Sequence, residues 1–537
     1  MIAKIIVTII YVAIVGYLGY LGYRNTKNAQ DYLIGGRKIH PAVMALSYGA
    51  AFISTSAIIG FGGTAARFGM SLLWLTFFNI FLGIFVAFVF FGRRTRRMGL
   101  NLGAHTFPEF IGARYQSKFI QRFAACIIFF LMPVYAAAVM IGAATFIKSN
   151  LGIDYNTALF FFAAICALYV FFGGLKGVMY TDAFQGTLMF IGMLMFIITV
   201  YSRLGGFTAA HQKLTNMMND PLVLDQIKSV KLPPGFNGWA SMPELFSVNW
   251  WAVISSLVLG VGIGVLAQPQ LVVRFMTVKS DREINRAVPI GGLFILFMTG
   301  VAFAAGALSN VFFFEKHQKI AEVFSGGADY VMGDFVGEIM PAWFLPVFLI
   351  VIVAAGMSTL SSQFHAIGTA FGRDMFNNEN RSEKSSMLMS RTGMLVAIII
   401  TIILAYVLPS VWNGAIAIST GLFFGVCASC FLPLYVGAIY FRKMSKKAAV
   451  SGMLAGFGTS ALWMLFIHTK ESQVLGLCKA LFGVDTLAPA ASTLAFVDPI
   501  VIALTVSIIV TVVVGLLTKP DLDEEHLHKC FSGIVRS

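Results

Sequence analysis

The stretch that decides the fold is AAGMSTLSSQFHAIGTAFGRD, residues 354–374, which belongs to a long apolar segment and carries a row of hydroxyl groups. On a helix, the following side chains share one face: Ala355, Ser358, Thr359, Ser361, Ser362 and His365. Hydroxyls gain nothing from facing lipid, whereas a cation inside a membrane needs oxygen atoms to replace its water. No acidic residue occurs in the stretch before Asp374, and neutral oxygens suit a monovalent cation that must be released again. The stretch therefore predicts a membrane helix that lines a cation site.

The composition of the chain is that of a membrane protein with many spans. Hydrophobic residues make up 58% of the 537 residues and charged residues only 12%, against about 25% charged in soluble domains. Thirteen apolar segments are long enough to cross a bilayer. They are approximately 2–23, 41–66, 72–92, 122–148, 157–174, 181–203, 249–276, 288–313, 342–372, 391–409, 413–441, 448–467 and 498–517. We therefore expect an all-α polytopic membrane protein.

The distribution of basic residues predicts the orientation. The first segment has only Lys4 before it, has Arg24 and Lys27 after it, and lacks a small-residue cleavage site, so we expect a retained span with its N-terminus outside. This topology places 27 of the 38 lysines and arginines on the cytoplasmic side and 11 outside. The asymmetry explains the net charge of +14 without any nucleic-acid partner. We expect a multi-pass protein of the plasma (inner) membrane with a cytoplasmic C-terminus.

Two spans carry the residues that interrupt membrane helices. Residues 41–69, PAVMALSYGAAFISTSAIIGFGGTAARFG, combine glycines at positions 49, 60, 62 and 63 with consecutive hydroxyl residues. A break near 49–54 would free carbonyls at mid-membrane depth. A small-residue face for helix packing is the alternative. Residues 255–278, SSLVLGVGIGVLAQPQLVVRFMTV, repeat the pattern with three glycines and Pro269. Two interrupted spans that each open a block of five indicate a transporter with inverted repeats.

The predicted division of the chain follows from these blocks. A first span and loop (1–40) precede a five-helix repeat (41–203), an external loop (204–248) and a second repeat (249–441). Two additional spans (442–517) and a cytoplasmic tail (518–537) complete the chain. No segment between spans is long enough for a catalytic domain, so we do not expect an enzyme. A channel and a membrane sensor are the rival classes, and the short tail disfavours the sensor.

Three motifs resemble a known family. GGLKGVMYTDAFQG (173–186), AQPQLVVRFMTVKSDREINRA (267–287) and DYLIGGR (31–37) resemble stretches of the sodium:solute symporter family, near its proline, pantothenate and monocarboxylate branches. The resemblance covers roughly residues 1–450. It implies a leucine-transporter-type 5+5 inverted repeat and symport of a small organic solute with sodium. The implied partners are the solute, sodium and the lipid bilayer, with no obligatory protein partner.

The resemblance also implies where ions bind. For the first sodium it implies the carbonyls of Ala50, Ile53 and Ala355 and the hydroxyls of Ser358 and Thr359. Some family members bind a second sodium, for which the matching residues are Asp182, Ser358, Ser361 and Ser362. From the residues alone, Asp182 follows Thr181 at a span edge and could equally cap a helix. One or two sodium ions are therefore expected.

The solute is less well specified. The candidate pocket residues are Phe52, Ser54, Trp74, Phe78, Asn79 and Gln268. Proline permeases carry an aspartate where this chain has Phe52, and half of the candidate set is aromatic, which suits a small, partly apolar solute. We therefore expect a monocarboxylate or similar organic acid, with a proline-like amino acid as the alternative.

Overall fold

The computed structural model describes residues 2–24, 33–376, 383–489 and 492–534. The first two residues of the DYLIGGR motif lie outside these ranges. Within them the protein is helical, and its β structure is an isolated bridge between Ile39 and Val278. Ten helices are long and apolar enough to cross a membrane, and three shorter apolar helices coincide with further predicted segments. The all-helical class is confirmed, whereas the count of thirteen spans and their orientation stay predictions.

The helices that build the fold are numbered here in chain order. They are α1 (Ile2–Arg24), α2 (Pro41–Phe52), α3 (Phe61–Phe68), α4 (Leu73–Ile80), α5 (Arg93–Leu102), α6 (Phe107–Arg114), α7 (Lys118–Leu151), α8 (Tyr155–Arg203), α9 (Val248–Ala267), α10 (Pro269–Phe275), α11 (Asp281–His317), α12 (Leu345–Thr369), α13 (Glu383–Val411), α14 (Ala415–Tyr440), α15 (Lys446–Phe466), α16 (Pro499–Leu517) and α17 (Glu524–Phe531). Wide π-helical turns extend α4 through Phe81–Gly92 and α12 through Ala370–Met375.

Both predicted helix breaks are present. Helix α2 ends at Phe52, and Ile53 has extended backbone angles (φ −84°, ψ 96°) before a π-helical turn begins at Ser56. The Ser54 hydroxyl accepts a hydrogen bond from the Ser56 amide, which competes with helix continuation. In the predicted second repeat, Gln268 is extended (φ −71°, ψ 115°), and Pro269 is the first residue of α10. Proline lacks an N–H group, but the N–H groups of the first helical turn have no partner within the helix, so no hydrogen bond is lost.

Helix α8 contains the fifth and sixth predicted spans, and parts of both spans pack against α12. A straight helix of 49 residues would be about 74 Å long. However, the Phe162 ring packs on Gly356 while Val351 packs on Gly192. Positions 162 and 192 would be about 45 Å apart on a straight helix, yet their partners are five residues apart on α12. The two spans are therefore not collinear, and both lie against the same helix.

The segment before α9 holds the C-terminal end of the first broken span in place. Gly69 has a φ of +79° and ends α3, and a Cβ atom there would overlap the backbone of Trp239. The buried Trp239 indole donates to the Ala66 carbonyl at 2.7 Å, and the Met70 amide donates to the Trp239 carbonyl at 2.7 Å. These contacts hold the end of α3, so the break at Ile53 lies between two anchored helices.

Candidate functional site

The oxygens implied for the first sodium meet where α2 ends against α12. The Ser358 hydroxyl donates to the Ala50 carbonyl at 2.9 Å and lies 3.2 Å from the Ala355 carbonyl. The Thr359 hydroxyl lies 3.3 Å from the same Ala50 carbonyl. Four oxygens within 2.9–3.3 Å of a neighbour form a cluster that a small hard cation can bridge.

The fifth residue of this set, Ile53, follows α2 directly. Its side chain is buried, and its extended backbone takes its carbonyl out of the helical ladder. A carbonyl released at membrane depth has to find a new partner, and a cation supplies one. The donor set is neutral and consists only of oxygens, which fits sodium better than a transition metal.

Small residues allow α2, α8 and α12 to approach one another at this point. Gly186 faces the Ala50 side chain, and Gly356 packs against the Phe162 ring and the Thr55 methyl group. A Cβ at Gly356 would come within 2.5 Å of Phe162. Side chains at these glycines would separate the helices and open the oxygen cluster.

Two of the four residues implied for a second sodium, Asp182 and Ser362, contact a buried arginine. Arg274 of α10 donates to Asp182 at 3.0 Å, and both side chains are at most 1% exposed. The same guanidinium donates to the Ser362 hydroxyl at 2.6 Å and to the Ser47 hydroxyl at 3.0 Å. In this conformation Asp182 is therefore neutralised by a side chain of the protein.

One oxygen of Asp182 is not used by this network. Its Oδ2 accepts from Ser47 and Arg274, but its Oδ1 has no hydrogen-bond partner among the residues that the structure describes. The Ser361 and Ser362 hydroxyls both donate to the Ser358 carbonyl at 3.0 Å, so these serines sit one turn from the first cluster. The implied second set thus lies beside the first. Arg274 bonds to the Oδ2 atom of Asp182 and not to its Oδ1 atom.

Sequence reasoning missed Arg274 as a functional residue. By position it is one of the basic residues near the end of a predicted span, 249–276. An arginine within an apolar segment needs a carboxylate partner, and Asp182 lies in the other motif that resembled the symporter family. That pairing was a signal in the sequence that could have identified the contact.

A small cavity lies beside the break in α2. Its wall is largely aromatic: it includes Phe52, Phe61, Tyr135, Phe303 and Phe424. Polar groups reach it from Ser56, Asn79, Thr299 and Thr420. Its volume of about 20 Å³ holds about one or two water molecules. An organic solute therefore binds here only if the aromatic rings move apart.

The candidate pocket residues divide between this cavity and other places. Phe52 and Asn79 line the cavity, and Ser54 lies next to it, with its hydroxyl 2.7 Å from that of Ser56. Gln268 is buried at the second break, where its side chain bonds to Gln270 rather than facing the cavity.

Trp74 and Phe78 do not line the cavity. Helical periodicity explains this, because Leu75 and Asn79 share the inner face of α4 and Trp74 is rotated away from it. Trp74 is 49% exposed and packs on Phe77, while Phe78 packs on Gly262. Neither ring reaches this cavity, so their contact with the solute stays a prediction.

Asn79 is the side chain of α4 that we expect to contact the solute. It is 2% exposed, and its Oδ1 has no hydrogen-bond partner within the described part of the chain. We expect Asn79→Ala to raise the KM for the solute about tenfold, with little change in the sodium dependence. Trp74→Ala on the opposite face of the same helix is the matched control. Equal KM values for the two variants would contradict this placement.

The chain is similar to known membrane transporters. The model of the sodium:solute symporter family matches residues 32–456. The sodium/proline symporter of Escherichia coli (strain K12) is 27% identical over 82% of this chain and 84% of its own. The high-affinity proline transporter PutP of Bacillus subtilis (strain 168) is 28% identical over 82% of this chain and 87% of its own.

Two solved structures share the fold. A Na⁺-coupled sialic acid symporter in a substrate-bound outward-open state has a TM-score of 0.74 at 18% identity, covering 96% of this chain and 98% of that one. MHP1, a nucleobase-cation-symport-1 family transporter in a closed conformation, has a TM-score of 0.52 at 14% identity, covering 94% and 99%. With its family match over residues 32–456, the chain belongs to the sodium:solute symporter family, whose members are sodium-coupled transporters and not enzymes.

Proposed function

We propose that this protein takes up proline, or an amino acid of similar size, by symport with sodium across the plasma membrane. The contact of Ser358 and Thr359 with the Ala50 carbonyl, at the break in α2, carries the sodium part of the proposal. The relatives named as proline transporters support the solute part and favour the amino-acid alternative over the monocarboxylate expected from the sequence.

Sodium binding would couple the two repeats. The ion would take the carbonyls of Ala50, Ile53 and Ala355 and the hydroxyls of Ser358 and Thr359, whose hydrogen atoms would turn away from it. The helix α2 lies in the predicted first repeat and α12 in the predicted second, so the ion would hold the two repeats together while its ligands on both helices face each other. Loss of the ion releases α12 from α2, which allows alternating access.

The break in α2 also offers groups for an amino acid. The carbonyl end of α2 carries partial negative charge, and the amide end of the turn at Ser56–Gly60 carries partial positive charge. The ammonium group of an amino acid would therefore face the carbonyl end of α2, and its carboxylate would face the amide end of the turn, a few residues away. The aromatic wall suits the apolar ring of proline, and Asn79 adds one amide group.

A monocarboxylate is the second candidate, and Phe52 favours it. The ring of Phe52 lies in the cavity wall, 6.2 Å from that of Phe424. No acidic side chain is among the residues that line the cavity in the described chain, so only uncharged oxygens of the backbone, the Asn79 amide and the hydroxyl groups would meet a solute amine. A solute without an amine would not need such a partner.

The driving force is sufficient for concentrative uptake. At about 100 mV one sodium gains about 2.3 kcal/mol, and a tenfold gradient adds about 1.4 kcal/mol. One ion thus sustains a gradient of a neutral solute of about 500-fold. An anionic solute would lose about 2.3 kcal/mol against the potential. One ion would then sustain only a gradient of about tenfold, and a monocarboxylate would need a second ion to exceed it.

Uptake into proteoliposomes tests the proposal. Labelled proline should accumulate with an inward sodium gradient and not with potassium or choline in its place. Excess unlabelled proline should abolish the signal, whereas lactate and pyruvate should leave it unchanged. Sodium-dependent uptake of labelled lactate with no proline uptake would reject proline as the solute and support a monocarboxylate. Uptake that ignores sodium would reject both.

A further inference from the structure

A second cleft lies on the arginine-rich face, away from the solute cavity. It has a volume of about 520 Å³ and lies where α4 passes into α5. Arg93, Arg94 and Arg97 line it together with one carboxylate, Asp281. Gly533 and Ile534, which follow α17, form another wall. The charge distribution of the sequence places this face in the cytoplasm.

The three guanidinium groups are held in position, but the carboxylate does not neutralise them. Arg97 pairs with Asp281 at 2.6 Å. Arg93 donates through Nε to the neutral Asn285 side chain at 2.8 Å, and among the described residues its two terminal nitrogens have no hydrogen-bond partner. Arg94 lies 4.2 Å from the centre of the Tyr440 ring and donates to the Ile439 carbonyl. The lining therefore carries an excess of two positive charges fixed within one concave surface.

The other side of the cleft is apolar and continues into the membrane-facing surface. Val89 and Phe90 line it from the π-helical extension of α4, and the Phe90 side chain is 47% exposed. Tyr440 also lines an adjacent groove of about 800 Å³ between the ends of α14 and α16. A ring with a polar tip between basic groups and apolar helices is typical of the interface region of a membrane.

We propose that this cleft binds an anionic phospholipid of the cytoplasmic leaflet. The phosphate would lie between the Arg93 and Arg94 guanidinium groups, because charge-assisted bonds from arginine to phosphate are among the strongest available. The acyl chains would follow Val89 and Phe90 toward the membrane. A free phosphate ion would satisfy the arginines but would leave the apolar wall uncovered, so we assign the site to a lipid. Basic pockets at this depth recognise lipid headgroups in the same way.

Native mass spectrometry of the full chain tests this proposal. The purified protein would be exchanged into phosphatidylcholine with a fixed fraction of phosphatidylglycerol, and the retained phosphatidylglycerol counted. The test variant is Arg93→Gln with Arg94→Gln, which keeps the Arg97–Asp281 pair. The control is Lys446→Gln with Lys447→Gln, which removes the same charge from exposed positions near the start of α15. We expect the arginine variant to bind phosphatidylglycerol about tenfold to thirtyfold more weakly and the control to match the wild type.

Thermal unfolding keeps the test decisive if the arginine variant folds poorly. Phosphatidylglycerol should raise the melting temperature of the wild type and the lysine control, whereas inorganic phosphate at the same concentration should not. Equal retention of phosphatidylglycerol by the two double variants would overturn the proposal. Stabilisation of the wild type by inorganic phosphate alone, with no added effect of the lipid, would also overturn it.

Discussion

Replacing Ser358 with alanine is expected to raise the sodium concentration for half-maximal uptake by about ten- to one-hundredfold. The hydroxyl contacts the carbonyls of Ala50 and Ala355, so its loss removes one ligand and the bridge between two others. A lost bond to a charged partner costs about 1.5–3 kcal/mol, which corresponds to that range. The measurement is the initial rate of uptake against sodium concentration at saturating solute.

Thr401→Ala is the control for this prediction. Thr401 is a buried hydroxyl on α13 that bonds to the carbonyl four residues earlier, at 2.7 Å, and touches neither candidate ion cluster. It should leave the sodium dependence of uptake unchanged. If Ser358→Ala and Thr359→Ala both keep the sodium dependence of the wild type, the oxygen cluster between α2 and α12 is not the sodium site.

Breaking the Asp182–Arg274 pair is expected to have the largest effect on stability. Removing one partner of a buried ion pair leaves an uncompensated charge and costs about 3–5 kcal/mol. We therefore expect Asp182→Asn and Arg274→Met each to lower the thermal stability in detergent strongly. The double variant removes both charges and should recover most of the loss. Single variants as stable as the double would show that the pair does not form.

The double variant also tests the second sodium. If Asp182 Oδ1 binds an ion together with the serines of α12, the wild type should move two sodium ions per solute and the double variant one. Arg274 would then be the cation that remains paired with the Asp182 carboxylate when that sodium leaves. An identical ratio in both proteins would assign Asp182 to the arginine alone.

The local features of the ion site could be predicted from the sequence because they depend on short-range chemistry. Hydroxyl residues at helical spacing fixed the inner face of α12, and glycines, hydroxyl residues and Pro269 marked both breaks. Helical periodicity alone brought Ser358 and Thr359 to one side. The partner carbonyl on α2 came only from the family resemblance, because nothing local states which two helices touch.

The tertiary contacts could not be predicted in the same way. The contact of Arg274 with Asp182 was not predicted, because the two lie 92 residues apart and their opposite charges within apolar segments are the one sequence signal that links them. Trp74 and Phe78 looked as suitable for a pocket as Asn79, and only the rotation of α4 separates them. Which solute binds depends on a few side chains in the cavity wall. The sequence alone therefore did not distinguish a monocarboxylate from proline.

Parallel fluxes of labelled sodium and labelled proline into the same proteoliposomes test the central claim most directly. We predict that each proline enters with at least one sodium, and that Ser358→Ala lowers both fluxes together at low sodium concentration. Proline entry without accompanying sodium, or a sodium flux that proline does not stimulate, would contradict coupling through the oxygen cluster between α2 and α12.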